Sequence, residues 1–127
     1  MLRGFVNGRC EPVVSLQLVG SAGRRTVVEA TVDTGFTEFL SLPQGVLDEL
    51  GLESSDSSGL VMADGTRILT PLYECVVVWL GQHITVSVNH VEGQPLVGMA
   101  LIWEHLLTIE ATRFGAVTLA PLIGTEG

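Results

Sequence analysis

Apolar and polar residues alternate along two stretches near the start of the chain, the pattern of strands that bury one face. Residues 13–19 read Val-Val-Ser-Leu-Gln-Leu-Val, and residues 26–32 are rich in β-branched side chains. The segment between them contains Gly-Ser-Ala-Gly at 20–23, which supplies turn residues. We therefore predict a hairpin whose second strand ends at Asp33.

A second hairpin is predicted around Asp64 and Gly65. Short apolar runs at 60–63 and 66–69 flank this dipeptide. Asp-Gly between two such runs favours a tight type I′ turn, which needs a positive φ at both central residues. This hairpin is the candidate for a flap that covers a site.

The other segments indicate many short strands and little helix. Residues 44–50 predict a short helix that ends before Gly51, residues 53–58 a polar loop, and residues 100–106 a second short helix. The remaining strands are expected at 73–80, 83–91 and 116–120. This series of short strands is typical of an all-β closed barrel of about six or seven strands with one or two short helices. We expect residues 1–127 to form a single domain.

Composition favours a protein that buries apolar surface against another subunit. The 127 residues are 46% hydrophobic, and the mean hydropathy of +0.46 is high for a small chain. No apolar run approaches the ~20 residues needed to cross a bilayer, so a membrane is not expected as a partner. Glycines and arginines interrupt residues 1–9, and the absence of a secretory pattern there indicates the cytoplasm.

Charge argues against nucleic acid as a partner. The net charge is −8, with six basic and fourteen acidic residues, and such a chain repels phosphate backbones. The adjacent Arg24 and Arg25 are interpreted as a solvated hairpin end. Cys10 and Cys75 have neither zinc nor redox spacing and are interpreted as packed thiols.

Histidine spacing gives no sign of a metal or other cofactor. His83, His90 and His105 are isolated from one another in the sequence, and lone histidines are usually structural. We interpret Trp79 and Trp103, in apolar surroundings, as core or interface residues. We therefore expect no metal and no cofactor.

The candidate chemistry lies in Asp33, Thr34 and Gly35. The predicted strand delivers one carboxylate into a turn formed by a hydroxyl residue and a glycine. Local alternatives exist, because aspartate and threonine also stabilise turns by bonds to their own backbone.

Three segments in order carry a family resemblance. They are Val-Asp-Thr-Gly at 32–35 with Leu-Ser-Leu-Pro at 40–43, the hairpin around Asp64-Gly65, and Leu-Val-Gly at 96–98 with Ala-Leu at 100–101 and a short helix. With this set the chain resembles a retropepsin-like aspartic peptidase of the bacterial and archaeal single-domain type, over about residues 13 to 122. The resemblance implies the closed, barrel-like retropepsin fold, with the third motif packed beneath the catalytic loop.

The resemblance also implies roles for five residues. Asp33 is the acid and base, Thr34 bonds across a dimer axis, and Gly35 allows close approach to a shared water, while Val97 and Gly98 support the loop. Peptide hydrolysis of this kind needs two carboxylates that share a proton. Because the motif occurs once, the second Asp33 must come from a second chain, which predicts a homodimer.

The expected substrate is a peptide or an unfolded protein segment. The flap and cleft residues that would bind it are Met62, Ala63, Asp64, Gly65, Thr66 and Phe36. The flap would bind through backbone hydrogen bonds that add the substrate as an extra strand. Met62 has an alternative place in the core.

Three positions depart from the retroviral pattern. Thr37 and Met99 stand where those enzymes carry an aspartate and an arginine, and losing both together leaves no unpaired buried charge. Phe36 replaces a small residue next to Gly35.

The sequence predicts an aspartic endopeptidase. The alternatives are a catalytically silent dimeric peptide-binding or assembly module with Phe36 in its groove, and a small β-rich structural protein with a chance Asp-Thr-Gly.

Overall fold

A computed structural model describes residues 1–54, 56–61 and 63–122, and ten strands of this part join one continuous sheet. The strands are β1 (Leu2–Val6), β2 (Pro12–Val19), β3 (Arg25–Val32), β4 (Leu40–Leu42), β5 (Asp56–Val61), β6 (Arg67–Trp79), β7 (Gln82–His90), β8 (Leu96–Val97), β9 (His105–Ile109) and β10 (Ala116–Pro121). The described α-helices are α1 (Gln44–Glu49) and α2 (Met99–Ile102), and residues Ser21–Gly23 form a single 3-10 turn. With six and four residues, neither helix is long enough to cross a membrane.

Six strands close into a barrel in the order β6, β7, β4, β8, β3, β2. The ring closes where β2 pairs antiparallel with β6, from Gln17 opposite Val78 to Val19 opposite Val76. Beyond the ring, β1, β10 and β9 extend the sheet from β2, and β5 extends it from β6. The predicted all-β closed barrel with two short helices is confirmed, although four strands lie outside the ring.

The barrel interior is built from alternating side chains, as the sequence pattern predicts. In β2, Val14, Leu16 and Leu18 are buried, whereas Ser15 and Gln17 are exposed. The first predicted hairpin is confirmed as β2 and β3, in antiparallel register along their length. Burial of such an apolar face is the main stabilising contribution to a fold of this size.

The two other hairpins, β6–β7 and the flap hairpin β5–β6, differ in their turns. In the β6–β7 hairpin Trp79 pairs with Gln82, and the turn residues Leu80 and Gly81 have φ of 51° and 83°. These positive angles at both positions are those of a type I′ turn.

The flap hairpin lacks the predicted type I′ turn. Val61 pairs with Arg67, and the described residues 63–66 between them already exceed a two-residue turn. Gly65 has a φ of 88°, but Asp64 is not left-handed. Instead, the Thr66 amide donates a 2.8 Å hydrogen bond to Asp64 Oδ1. The local Asp-Gly signal was therefore right about a turn and wrong about its length.

Two element predictions are wrong because strand pairing overrides local pattern. The helix expected over 100–106 ends at Ile102, since Glu104 is left-handed with φ of 65°, and β9 begins at His105 and pairs with β10. The loop expected over 53–58 becomes β5 from Asp56, which pairs with β6. The pattern of apolar and polar residues in such short segments does not by itself distinguish a strand from a helix or a loop.

The two cysteines occupy different environments. Cys75 is buried, as expected for a packed thiol, and desolvation raises the pKa of its thiol to about 11. Cys10 is exposed, which corrects the expectation that it packs. The backbone of Cys10 is left-handed, with φ of 62°, in the turn between β1 and β2.

Glu92 ties the start of α1 to the end of β7. Its Oε2 accepts a 2.8 Å bond from the Gln44 backbone amide and also contacts His90 Nε2. The bond from the Gln44 amide, and after it the contact with His90, hold the pKa of Glu92 below the ordinary value of a glutamate. Pro43 at the N-cap makes no side-chain bond, so Glu92 takes the role of a distant cap.

We expect Glu92→Ala to destabilise the protein at pH 7 and to have a smaller effect at pH 3. A lowered pKa in the folded state contributes stability above about pH 4.5, and this contribution is lost as the pH falls through the folded-state pKa. Urea unfolding of wild type and variant at both pH values measures the difference. Glu29→Ala, which removes an exposed strand carboxylate, is the control; an equal effect at both pH values would contradict the assignment.

Candidate active site

Asp33 follows the last residue of β3 and is held at the edge of the barrel by β8. The Asp33 amide donates a 2.9 Å hydrogen bond to the Val97 carbonyl, continuing the parallel pairing of Val32 with Val97. On its other side β8 pairs antiparallel with β4. The half-buried Asp33 side chain therefore starts from a rigid backbone.

The turn after Asp33 orients its carboxylate. The Gly35 amide donates a 2.9 Å hydrogen bond to Asp33 Oδ1, and the Phe36 amide donates a 3.1 Å bond to the Asp33 carbonyl. Thr34 and Gly35 at the tip are exposed. An aspartate bonded to the backbone amide two residues ahead forms an Asx turn. The same bond therefore both stabilises the turn, as for an ordinary turn aspartate, and orients the carboxylate.

Residues 36–39 lie directly on Gly98. The amides of Gly98, Met99 and Ala100 donate to the carbonyls of Phe39, Phe36 and Glu38 at 3.0, 2.7 and 3.2 Å. A Cβ on Gly98 would stand 2.0 Å from the Glu38 carbonyl oxygen and 2.6 Å from Phe36 Cδ2. Glycine is required at this position by the close approach of two backbones.

Phe36 packs its ring edge into the space beside Gly98. The side chain is half-buried, so part of the ring supports the loop and part remains accessible. Val97, in β8, is fully buried in the hydrophobic core. Both of the residues predicted to support the loop, Val97 and Gly98, contact it through their backbone.

Thr34 borders a cavity of about 490 Å³. The cavity is lined by Thr34, Met99, Ile102, Trp103, Glu104, His105, Leu107 and Leu122. Trp103 is 67% exposed and Leu122 is 40% exposed. This apolar surface beside the Asp33 loop is a feature that the sequence did not reveal, because it joins α2, β9 and the loop.

The flap tip is exposed and is not brought to Asp33 by the described hydrogen bonds. Ala63, Asp64, Gly65 and Thr66 are exposed at the end of the β5–β6 hairpin. The side chain and the amide of Thr66 hold the pKa of Asp64 below its ordinary value. Met62, the other predicted flap residue, lies outside the described residues.

The bonds recorded for other carboxylates near these segments are local. Asp48 Oδ1 accepts from the Gln44 side chain within α1, and Asp64 accepts from Thr66. Among the hydrogen bonds of the described residues, none joins a second carboxyl group to Asp33. One chain therefore presents one oriented carboxylate.

His105 occupies an environment that the sequence did not predict. Instead of lying on a helix beside Glu104, it begins β9, and its Nε2 accepts a 3.2 Å bond from Trp79 Nε1. Its Nδ1 lies 2.7 Å from the Trp103 carbonyl oxygen. The two tryptophans separate accordingly: Trp79 is buried and Trp103 exposed. No local signal foretells a contact between positions 79 and 105.

No family model and no curated protein matches this sequence. Solved structures do. A retropepsin-like aspartic protease from Rickettsia conorii has a TM-score of 0.58 at 14% identity, over 94% of this chain and 91% of that one. EIAV protease complexed with the inhibitor HBY-793 has a TM-score of 0.56 at 14% identity, over 72% and 85%. The retropepsin fold predicted from the sequence is thus confirmed.

We expect Gly98→Ala to destabilise the protein by about 1–3 kcal/mol or more, because the new methyl group would displace the 36–39 backbone. The control is Gly45→Ala in α1, where a Cβ meets nothing within 4 Å and alanine favours the helix. Chemical unfolding compares the two variants. Equal stability of both would contradict the required close approach.

Proposed function

We propose that this chain is an aspartic endopeptidase that acts as a homodimer, with Asp33 of each copy at the shared site. The observation that supports it is the Asp33 carboxylate, oriented by the Gly35 amide and partly exposed at the end of a barrel strand. The retropepsin fold is compatible with this use. We take residues 1–127 as one domain and the cytoplasm as its location, as the sequence indicates.

The chemistry requires two carboxyl groups in different protonation states. One Asp33 carboxylate takes a proton from a water molecule, whose oxygen attacks the peptide carbonyl, while the protonated Asp33 of the second copy donates a hydrogen bond to the carbonyl oxygen. The tetrahedral intermediate then breaks its carbon–nitrogen bond as the nitrogen receives a proton. Neither a metal nor a covalent nucleophile is needed for these steps.

The other predicted site residues have supporting roles in this proposal. Thr34, exposed at the loop tip, would bond to the loop of the second copy. Gly35 keeps the backbone free of a side chain next to the water. The flap residues 62–66 would cover a peptide or unfolded segment, and the accessible part of Phe36 would contact it.

The homodimer is supported by the apolar surface beside Thr34. Trp103, Leu122 and Met99 line the cavity that the Asp33 loop borders. A second copy placed there would bury these side chains and bring a second Asp33 to the same face, as a two-fold axis requires. Exposed apolar patches of this kind commonly mark interfaces.

We expect Asp33→Asn to lower the rate of peptide cleavage by at least about 10²-fold, since it removes the proton-transferring carboxylate and preserves an oxygen for the Gly35 bond. Cleavage of a fluorogenic peptide library from acid to neutral pH gives the rates. Asp48→Asn in α1 is the matched control and should cleave like wild type. Equal rates for wild type and Asp33→Asn, or cleavage by neither, would favour the silent peptide-binding module.

We expect Trp103→Asp to shift the protein toward monomer and to reduce cleavage in parallel, because it puts a charge on the apolar surface beside Thr34. Sedimentation over a dilution series measures the dissociation constant. Val27→Asp, at a 61% exposed position on the distant part of β3, is the control and should leave the dimer intact. If the wild-type protein is monomeric at all concentrations, the catalytic proposal is wrong.

A further inference from the structure

The His105 ring connects the barrel wall to the turn at the rim of the cavity beside Thr34. Trp79 Nε1 of β6 donates to His105 Nε2 at 3.2 Å, and the two rings meet edge to face with centroids 5.6 Å apart. On the other side of the ring, Nδ1 lies 2.7 Å from the Trp103 carbonyl oxygen. One side chain thus links a buried strand and an exposed turn.

These two bonds select one protonation state of the imidazole. An indole N–H can only donate, so His105 Nε2 accepts and carries no proton. A carbonyl oxygen can only accept, so Nδ1 carries the proton and donates to Trp103. The neutral ring satisfies both partners, whereas a protonated ring would set an N–H of His105 against the N–H of Trp79.

The conflict cannot be relieved easily at Trp79. This residue is 5% exposed, so water has little access to its N–H, and a buried donor left without an acceptor is costly. It also lies in β6, which is paired with β2 and β7. Protonation of His105 therefore favours movement of the ring and of the turn bonded to it.

The turn is the more yielding side of this contact. It leads into β9, which lies at the end of the sheet order. Glu104 in the turn is left-handed, with φ of 65°, a conformation that non-glycine residues adopt when their surroundings hold them in it. The surroundings include the 3.2 Å bond from the Leu122 amide to the Glu104 carbonyl and the His105 bond to Trp103.

We propose that His105 is a positioning residue whose neutral imidazole keeps the Trp103–Glu104 turn in the shape that a second copy of this chain binds. The turn, His105 and Thr34 line the same cavity, so a displaced turn alters the surface next to the Asp33 loop. Protonation of the ring weakens the dimer. This inference rests on the proposed dimeric enzyme and adds a regulation of its site.

Few charged groups in the described part of the chain face the ring. Glu104 adjoins it in sequence, lines the same cavity and carries a carboxylate. The neighbours from the other elements carry no charge. They are Met99 and Ile102 of α2, Trp79 of β6, and Pro121 of β10, which pairs with His105. The bond from the Trp79 indole N–H is therefore the contact of this ring that protonation would break.

Dimer dissociation measured at pH 8 and pH 5.5 tests the role of His105. The measurements use the Asp33→Asn background, so that titration of the paired aspartates does not contribute. With His105 present, we expect the dissociation constant to rise about tenfold at pH 5.5, as for the loss of a buried hydrogen bond. His105→Gln keeps an oxygen acceptor for Trp79 and cannot be protonated, so it should remain dimeric with little pH dependence.

His90→Gln is the matched control, since His90 lies on β7 and pairs with Glu92; it should retain the parent's pH dependence. The same pH dependence in the parent and in His105→Gln would overturn the role of His105 and leave the dimeric enzyme standing. A monomer at both pH values would overturn both.

Fluorescence gives a second measurement that does not depend on substituting His105. The chain has two tryptophans, so Trp103→Phe leaves Trp79 as the sole reporter, 5.6 Å from the imidazole. We expect its emission to change between pH 8 and pH 5.5 with the profile of a single titrating group. Emission that stays constant over this range would show that the ring keeps its charge and would overturn the proposal.

Discussion

The close contact between the Gly98 backbone and residues 36–39 is the constraint on which the site depends. Strand β8 has two residues, and it fixes the Asp33 loop through backbone bonds on both of its edges and just beyond its end. Any side chain at position 98 would enter the space of the Glu38 carbonyl and the Phe36 ring. The backbone position of Asp33 is therefore fixed by backbone packing.

Anchoring by backbone explains how the loop keeps its form without an ion pair between positions 37 and 99. Thr37 and Met99 bring no ion pair, but the Met99 amide still bonds to the Phe36 carbonyl at 2.7 Å. The Phe36 ring fills space beside the glycine. Backbone hydrogen bonds are open to almost any residue type, which is consistent with a shared fold at 14% identity.

The loop of residues 33–39 directs its carbonyls toward residues 98–100, while Thr34 and Gly35 at its tip are exposed. Thr34 faces an apolar cavity with the exposed Trp103 at its rim. The chain carries a net charge of −8, so two copies repel each other at long range. In the proposed dimer, apolar contact at this surface would have to outweigh that repulsion, so its stability would depend on the shape of the Trp103–Glu104 turn.

The sequence by itself determined the elements whose signals are local: the β2–β3 hairpin from its alternation, α1, and a lone Asp33 at a strand end. Only the tertiary structure decided that 105–109 is a strand and not helix, that β5 begins at Asp56, and that the two-residue β8 exists. Such segments are too short to be stable alone and take their form from partner strands. The contact of His105 with Trp79, 26 positions away, follows from the same cause, because the fold and not local pattern brings distant residues together.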